Sequence, residues 1–239
     1  MSFQYNLFPN QIDIEQVDKN VSVQELRSLV EKANTEIDQN PSIHVRVIIY
    51  TEDESYDTLH SELLDYGYNL FAKKYVYQKQ LANEQMLPTY YRWEAVGMGE
   101  TTENKFLKVW EACMVDSANK ASTRPAEFQL QDVKDLLGDN WQMSCRIIYQ
   151  GDVPIAMTIP HLEPGKDGEG RIYYIGSLPT VRGQGLGQLV HAASLFMLQE
   201  MGAVVYEGST HAANLPMQRV FKKNGCIKEK RIATYYKGM

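Results

Sequence analysis

The sequence predicts a mixed α/β fold, in which a central mixed sheet is flanked by helices. Three observations carry that expectation. Short β-branched apolar runs alternate with stretches of helical periodicity, and turn residues separate them. One strand-like run leads through glycines directly into an apolar-faced helix, in PTVRGQGLG at residues 179–187. The 239 residues suffice for one large domain or two small ones with a buried core.

Taken in order, VSVQELRSLVEKANTEI places apolar residues at helical spacing and stops at the turn-rich DQNPS. IHVRVIIYT (43–51) is short, β-branched and apolar, a buried strand. EDESYDTLHSELLDYG opens on acids, which suit a helix N-terminus, and closes on Gly67. YNLFAKKYVYQKQL reads as one or two strands, so the first 85 residues run helix, strand, helix, strand. ANEQMLPT (82–89) is the linker candidate and divides the chain into 1–85 and 86–239.

Beyond it, YYRWEAVG reads as a strand, and TTENKFLKVWEACMVDSA and RPAEFQLQDVKDLL as helices, the second starting just inside a proline. SCRIIYQGDVPIAMTIPHL holds two apolar runs around QGD, a hairpin signal. RIYYIGSLP is the next strand. Leu186, Leu189, Val190, Ala193, Phe196 and Met197 then recur at steps of three and four, a helix stopped by Gly202. AVVYEGST, NLPMQRVFKKNG and CIKEKRIATYYK complete the order as strand, short helix and final strand or hairpin.

Composition narrows the function classes. A net charge of −6 argues against a nucleic-acid binder and is compatible with a cationic substrate. No run of about 18 apolar residues predicts a membrane span, and the N-terminus lacks the basic start and apolar core of a signal peptide. Cys113, Cys145 and Cys226 show no metal-ligand spacing and read as reduced, buried thiols of a cytoplasmic protein.

Glycines between a strand and a helix leave backbone N–H groups facing open space, and the helix dipole adds positive character, so the stretch suits phosphate. Arg182 is a candidate for a charged contact. One alternative is an empty glycine-rich loop. Another is a dinucleotide on a Rossmann-type nicotinamide oxidoreductase: Gly183 and Gly185 begin G-x-G-x-x-G, and Glu207 ends the next strand about 20 residues on, where a ribose-binding acid belongs. Against it, Gln188 takes the third glycine position, residues 179–182 lengthen a turn that should be tight, and a hairpin precedes the strand.

The residues from Arg182 through Gly187 resemble the motif [Gln/Arg]-x-x-Gly-x-[Gly/Ala] of the GNAT superfamily of N-acetyltransferases, with Pro179 placed as it often is there. NLPMQRVFKKNGC resembles that family's second motif, and the element order from about residue 88 is similar to its fold. The resemblance implies acetyl-CoA as co-substrate, its pyrophosphate held by backbone N–H groups of Arg182, Gly183, Gln184, Gly185, Leu186 and Gly187. It implies that the strand carrying Ile175 and Ser177 splays from its neighbour to bond the pantetheine arm, with the Ser177 backbone polarising the thioester. Gly176 in that strand marks a bulge, a close ligand approach or simply relief of crowding. Asn214 carries over as a cofactor-side contact, and it is equally a helix N-cap.

Where the family often has a tyrosine that protonates the departing thiolate stands Phe221, kept as a cofactor-side residue without a proton to give. Tyr235 and Tyr236 are the substitutes considered, Tyr236 being the one chosen. A thiol with a pKa near ~8.5 also departs without an acid at modest cost. An amine must lose a proton before attack, and Glu207, His211, Glu163 and His161 are candidate bases, Glu207 first. His191 on the cofactor helix reads as structural, and Cys226 as packing.

Residues 1–85 carry no catalytic motif. Their order is similar to the back half of such a domain without its glycine loop, a degenerate half-repeat shaping the acceptor pocket, or else an unrelated extension. The expectation is an N-acetyltransferase that moves an acetyl group to a primary amine by direct attack, with a small-molecule or peptide acceptor and no nucleic-acid or membrane partner. A homodimer is the assembly common among such folds. The competing reading is a catalytically silent acyl-CoA-binding module.

Overall fold

A computed structural model describes residues 2–8, 10–19, 21–119 and 124–238. The chain forms two compact units, Met1–Val76 with Glu229–Met239, and Tyr77–Lys228. This division differs from the one drawn at the 82–89 linker. That stretch is a loop, but it lies inside the second unit. The residues after Lys228 join the first unit because they pair with one of its strands.

The first unit opens with a hairpin of β1 (Phe3–Phe8) and β2 (Gln11–Gln16), in register from Phe3 opposite Gln16 to Phe8 opposite Gln11. No element was expected before residue 21, although Phe3, Tyr5 and Leu7, and Ile12 and Ile14, alternate with polar residues at the period of two. Helix α1 (Val23–Gln39) follows, then β3 (His44–Tyr50), which is parallel to β2. Alternation in β3 sends Val45, Val47 and Ile49 inward, where Leu26, Val30 and Ala33 of α1 bury with them. Helix α2 (Tyr56–Asp65) adds Leu59 and Leu63 to that core. Strand β4 (Asn69–Gln80) is one long strand, belonging to this unit up to Val76. The last strand, β10 (Ile227–Lys237), runs antiparallel to β3 from Ile232 opposite Tyr50 to Lys237 opposite Val45.

The second unit contains β5 (Tyr91–Ala95), α3 (Glu103–Met114), α4 (Ala126–Leu137), a single turn α5 (Trp141–Ser144), β6 (Arg146–Gln150), β7 (Val153–Leu162) and β8 (Glu169–Ser177). Then come α6 (Leu186–Glu200), β9 (Val205–His211) and α7 (Leu215–Lys223). Its strands lie in the order β9, β8, β7, β6, β5. β5 to β8 are mutually antiparallel, while β8 and β9 are parallel. The mixed sheet thus matches the predicted class.

Helices α3 and α4 cover one face, packing Phe106, Trp110, Leu130 and Val133 on Ile147, Tyr149, Met157 and Ile159. On the other face Val190, Ala193 and Met197 of α6 pack on Ile148, Ile155 and Ala156. Each large aliphatic side chain fully buried here contributes about 1.5–3 kcal/mol.

Two irregularities in β8 position the site. Its parallel ladder with β9 joins Glu169 to Val205 and Gly170 to Tyr206, and goes no further. Against β7, the register slips between Thr158 opposite Ile175 and Pro160 opposite Ile172, so Tyr173 and Tyr174 together face Ile159. Such a bulge turns two consecutive side chains to one side. Both tyrosine rings accordingly meet Trp110, at 6.4 Å and 5.3 Å.

Candidate functional site

The junction from β8 to α6 is built from its sequence. Pro179–Val181 forms a 3-10 turn, closed by Val181 N–H donating to Leu178 and Arg182 N–H donating to Pro179. Gly183 and Gly185 follow at φ +79° and +80°, where a side chain would be strained. Gly185 is the N-cap of α6 and offers no capping side chain. Among the described residues, the N–H groups of Gly183, Gln184, Gly185, Leu186 and Gly187 meet no protein acceptor. Unpaired N–H groups at the positive end of a 15-residue helix make an anion cradle.

Around this cradle lies a cavity of about 650 Å³. Its lining includes Ile175, Ser177, Arg182, Gly183, Gly185, Leu186, Gly187 and Asn214 of the sequence-derived set. The structure therefore gathers most of the expected cofactor residues around one space. Gln184 is exposed and contributes its N–H to the row without lining the cavity.

Arg182 plays a different part from the charged contact expected of it. Its Nε donates to the Ser177 carbonyl at 3.1 Å, and its Nη1 to those of Val115 and Asp116 at 2.7 Å and 2.9 Å. Nη2 donates to the Cys113 carbonyl at 2.9 Å. The guanidinium caps the C-terminal end of α3 and ties it to the end of β8. It is engaged with carbonyls that no helical N–H can reach.

Asn214 fulfils the N-cap role, its Oδ1 accepting from Met217 N–H at 3.0 Å. Its Nδ2 donates to Asn119 Oδ1 at 3.0 Å, so both ends of the amide are engaged within the protein. Two further lining residues went unnoticed in the sequence, Arg219 and Lys223. They stand one helical turn apart on α7, and among the described residues neither forms an ion pair. Their i, i+4 spacing in MQRVFKKNG was the available signal. Cys113 and residues 116–119 also line the cavity, brought there by tertiary packing alone.

Several expected catalytic residues are placed otherwise. Phe221 is 1% exposed and does not line the cavity. It stacks on Tyr77 at 4.6 Å and meets His191 edge-on at 5.2 Å, because α7 turns that position toward the interior. Glu207 is no free base: Arg171 Nη2 donates to its Oε1 at 2.7 Å and Gln78 Nε2 to its Oε2 at 2.9 Å. The Arg171 guanidinium also pairs with Glu169 and Glu163. Burial tends to raise the Glu163 carboxyl, but the hydrogen bond from His161 and the charges of Arg171 and Lys166 outweigh it and hold it below the usual range.

His211 accepts the Ala213 N–H at 3.3 Å within a turn. Tyr236 belongs to the first unit, edge-on to Phe71 at 5.2 Å, and is absent from the lining. Tyr235 is buried in the same unit, its hydroxyl 2.7 Å from His60 Nδ1. Gly176 is not at the bulge, which falls at Tyr173–Tyr174. A Cβ on Gly176 would lie 2.9 Å from Tyr174 Cε1 and 3.0 Å from its Oη, so this glycine makes room for a ring.

His191 is fully buried, its Nδ1 accepting from Asn224 Nδ2 at 2.8 Å, and burial pushes its pKa down to about 3. The structural reading of this residue therefore fits. Cys226 is buried and pushed up to about 12, which keeps it protonated and unreactive. Among the described residues no His, Cys, Asp and Glu group is arranged to hold a metal, and no helix is long and apolar enough to cross a membrane.

No family model and no curated protein matches the sequence. Solved structures do match in shape. The GCN5-related N-acetyltransferase from Sphaerobacter thermophilus is similar at a TM-score of 0.65 and 15% identity, over 95% of this chain and 72% of that one. The GCN5-related N-acetyltransferase from Kribbella flavida is similar at 0.62 and 13%, over 94% and 80%. A tandem GNAT protein from the clavulanic acid biosynthesis pathway gives 0.59 and 11%, over 95% and 74%. The splayed parallel pair, the glycine-built junction and the mixed sheet are thus found together, and the chain has the GNAT fold of the GCN5-related N-acetyltransferases.

Proposed function

We propose that the protein binds acetyl-CoA in the 650 Å³ cavity and transfers its acetyl group to a primary amine by direct attack on the thioester. The observation that carries this reading is the row of unpaired N–H groups from Gly183 to Gly187 at the head of α6. A pyrophosphate satisfies them, and Arg219 and Lys223 add cations for further phosphate charge. From there the pantetheine arm follows β8, whose edge is open beyond Gly170 and offers backbone partners from Arg171 to Ser177. Bound acetyl-CoA supplies the electrophilic carbon. The residues orient it and present the Ser177 backbone toward the thioester. The cellular setting proposed is cytoplasmic, in keeping with three free thiols. We also propose that the first unit is a half-repeat of the same fold, since β2–α1–β3 and β8–α6–β9 both wrap a helix between parallel strands.

Calorimetric titration of acetyl-CoA into the wild type and into Gly187→Glu tests the cofactor reading. Gly187 has an ordinary helical φ, and a Cβ there meets Val220 at a comfortable 3.5 Å. A first-turn glutamate also suits the helix dipole, so the variant folds while placing negative charge in the cradle. Micromolar binding by the wild type, weakened more than about 100-fold in the variant, supports the proposal. An unbound wild type refutes it.

Two placements favour the silent-module alternative: Phe221 has no proton to give, and Glu207 is held by Arg171 and Gln78. Thiol release from acetyl-CoA in the presence of a panel of primary amines separates the two readings. Binding without release above the amine-free rate favours the module.

A further inference from the structure

β1 is the end strand of the first unit's order β1, β2, β3, β10, β4, and among the described residues no strand pairs with its outer edge. Which groups face that edge follows from one bond beyond the ladder. Val17 N–H donates to the Ser2 carbonyl at 2.9 Å, which extends the β1–β2 register by one pair. Hydrogen-bonded pairs alternate along an antiparallel ladder, so Gln4, Asn6 and Phe8 direct their main-chain groups to β2, and Phe3, Tyr5 and Leu7 direct theirs outward. Glu25 Oε1 accepts the Phe3 N–H at 3.4 Å. The N–H and C=O groups of Tyr5 and Leu7 meet no partner among the described residues.

Folded chains usually guard such an edge with charge, proline, a bulge or a covering loop. The end strand of the second unit is guarded in this way. In β5, Arg92 and Glu94 are charged, Tyr91 N–H donates to the Pro88 carbonyl, and the Ala95 carbonyl accepts from Met98 N–H. Ala95 is also fully buried. β1 has none of these protections: FQYNLF carries no charge, pairs with β2 in unbroken register, and leaves Leu7 and Phe8 61% and 49% exposed.

The free groups of β1 are complementary to themselves. A second β1 laid antiparallel, with Asn6 opposite Asn6 at a two-fold axis, sets Tyr5 of each copy opposite Leu7 of the other. Each Tyr5 and Leu7 N–H then donates to the C=O of the residue opposite, and every free group is used. The next pair outward would need an N–H from Pro9, which has none, and one from Phe3, which Glu25 already holds. Placing Tyr5 opposite Tyr5 instead would leave the Leu7 carbonyl facing that engaged Phe3 N–H. In the Asn6-centred pair, Tyr5 packs beside Leu7 and Gln4 beside Phe8, and no like charges meet, although the chain carries a net charge of −6.

We propose that β1 is the docking edge for a second copy of this chain, the two first-unit sheets joining through an antiparallel β1–β1 pair centred on Asn6. An edge this short makes a weak dimer, with an expected dissociation constant of about 10–100 µM.

Sedimentation velocity of the full chain over about 1–300 µM is the first test, and the wild type is expected to pass from monomer to dimer across that range. Leu7→Pro removes an N–H that faces away from β2, so the β1–β2 ladder is kept while the edge loses a donor and gains a ring. Its dimer is expected to be weaker by more than about tenfold. The register is read by cross-linking in a glutathione redox buffer, where the native thiols Cys113, Cys145 and Cys226 are buried and silent. Residues opposite each other in a non-hydrogen-bonded pair stand about 4.5 Å apart at Cα, within reach of a disulfide. Asn6→Cys is therefore expected to cross-link two chains at least about tenfold faster than Gln4→Cys, whose two copies stand about 14 Å apart.

A wild type that stays monomeric at about 300 µM overturns the proposal, as does a dimer whose affinity Leu7→Pro leaves unchanged. Should Leu7→Pro fail to fold, equal cross-linking rates in Asn6→Cys and Gln4→Cys overturn it instead.

Discussion

Two strand–helix–strand segments of this chain, β2–α1–β3 and β8–α6–β9, solve the same problem in opposite ways. Each wraps a helix between parallel strands. In the first, five residues of β2 pair with β3 in unbroken register, and Ser22 caps α1 by accepting from Glu25 N–H. Its junction is chemically closed. In the second, the ladder ends at Gly170, and the helix N-terminus is left without a side-chain cap. α1 also buries an ordinary stripe, Leu26, Val30 and Ala33, whereas α6 buries His191 and Ser194 besides its apolar residues. A closed junction serves stability alone. An open one leaves N–H groups without protein acceptors, which is the feature behind the proposed cofactor site.

The largest expected effect that sharpens this contrast is the loss of acetyl-CoA binding in Gly187→Glu. The corresponding first-turn change in α1, Val23→Glu, should leave affinity unaltered in the same titration.

Acid comes next. Burial keeps His191 neutral in the folded state down to about pH 3, whereas the unfolded chain protonates it below about 6.5. The unfolded state therefore binds the extra proton, and stability falls as pH drops from 6.5 toward 3, by about 1.4 kcal/mol per unit. Chemical denaturation at pH 7 and pH 5 should show that slope, and His191→Gln should flatten it.

Arg182→Ala releases the Ser177, Cys113, Val115 and Asp116 carbonyls together, and an expected cost of about 2–3 kcal/mol is readable as a lowered Tm. If the residue acted only as a charge for phosphate, affinity would fall and Tm would stand still. Smallest is Ser22→Ala, about 1 kcal/mol of stability with acetyl-CoA affinity intact. Affinity lost there would break the contrast, because the closed junction would then matter to binding.

Much of this was legible before any coordinates. Strands such as IHVRVIIYT and the α6 helix announced themselves by period, and the glycine stretch announced its backbone. What stayed hidden was decided by contacts between distant segments. Arg182 looks like a cation for phosphate until the end of α3 is brought beside it. Glu207 looks like a base until Arg171 and Gln78 reach it from other strands. Phe221 looks like a cofactor contact until α7 turns it inward. The bulge at Tyr173–Tyr174 depends on a register that only β7 can set, so nothing in YYIGS alone reveals it. The closing strand was expected but its partner was not, since CIKEKRIATYYK gives no hint that its later residues pair with β3.

The Arg182 clamp carries one consequence for how the glycine motif is spelled. Its first position accepts either arginine or glutamine, a pairing that makes little sense for a residue meant to neutralise phosphate. It makes better sense for one whose work is to give N–H groups to stranded main-chain oxygens: a glutamine amide has two N–H donors for that purpose, and the Arg182 guanidinium serves four carbonyls here. Under the proposed function, the attraction for the cofactor comes from the peptide dipoles behind the glycines, and Arg182 is a rivet between the end of α3 and the end of β8.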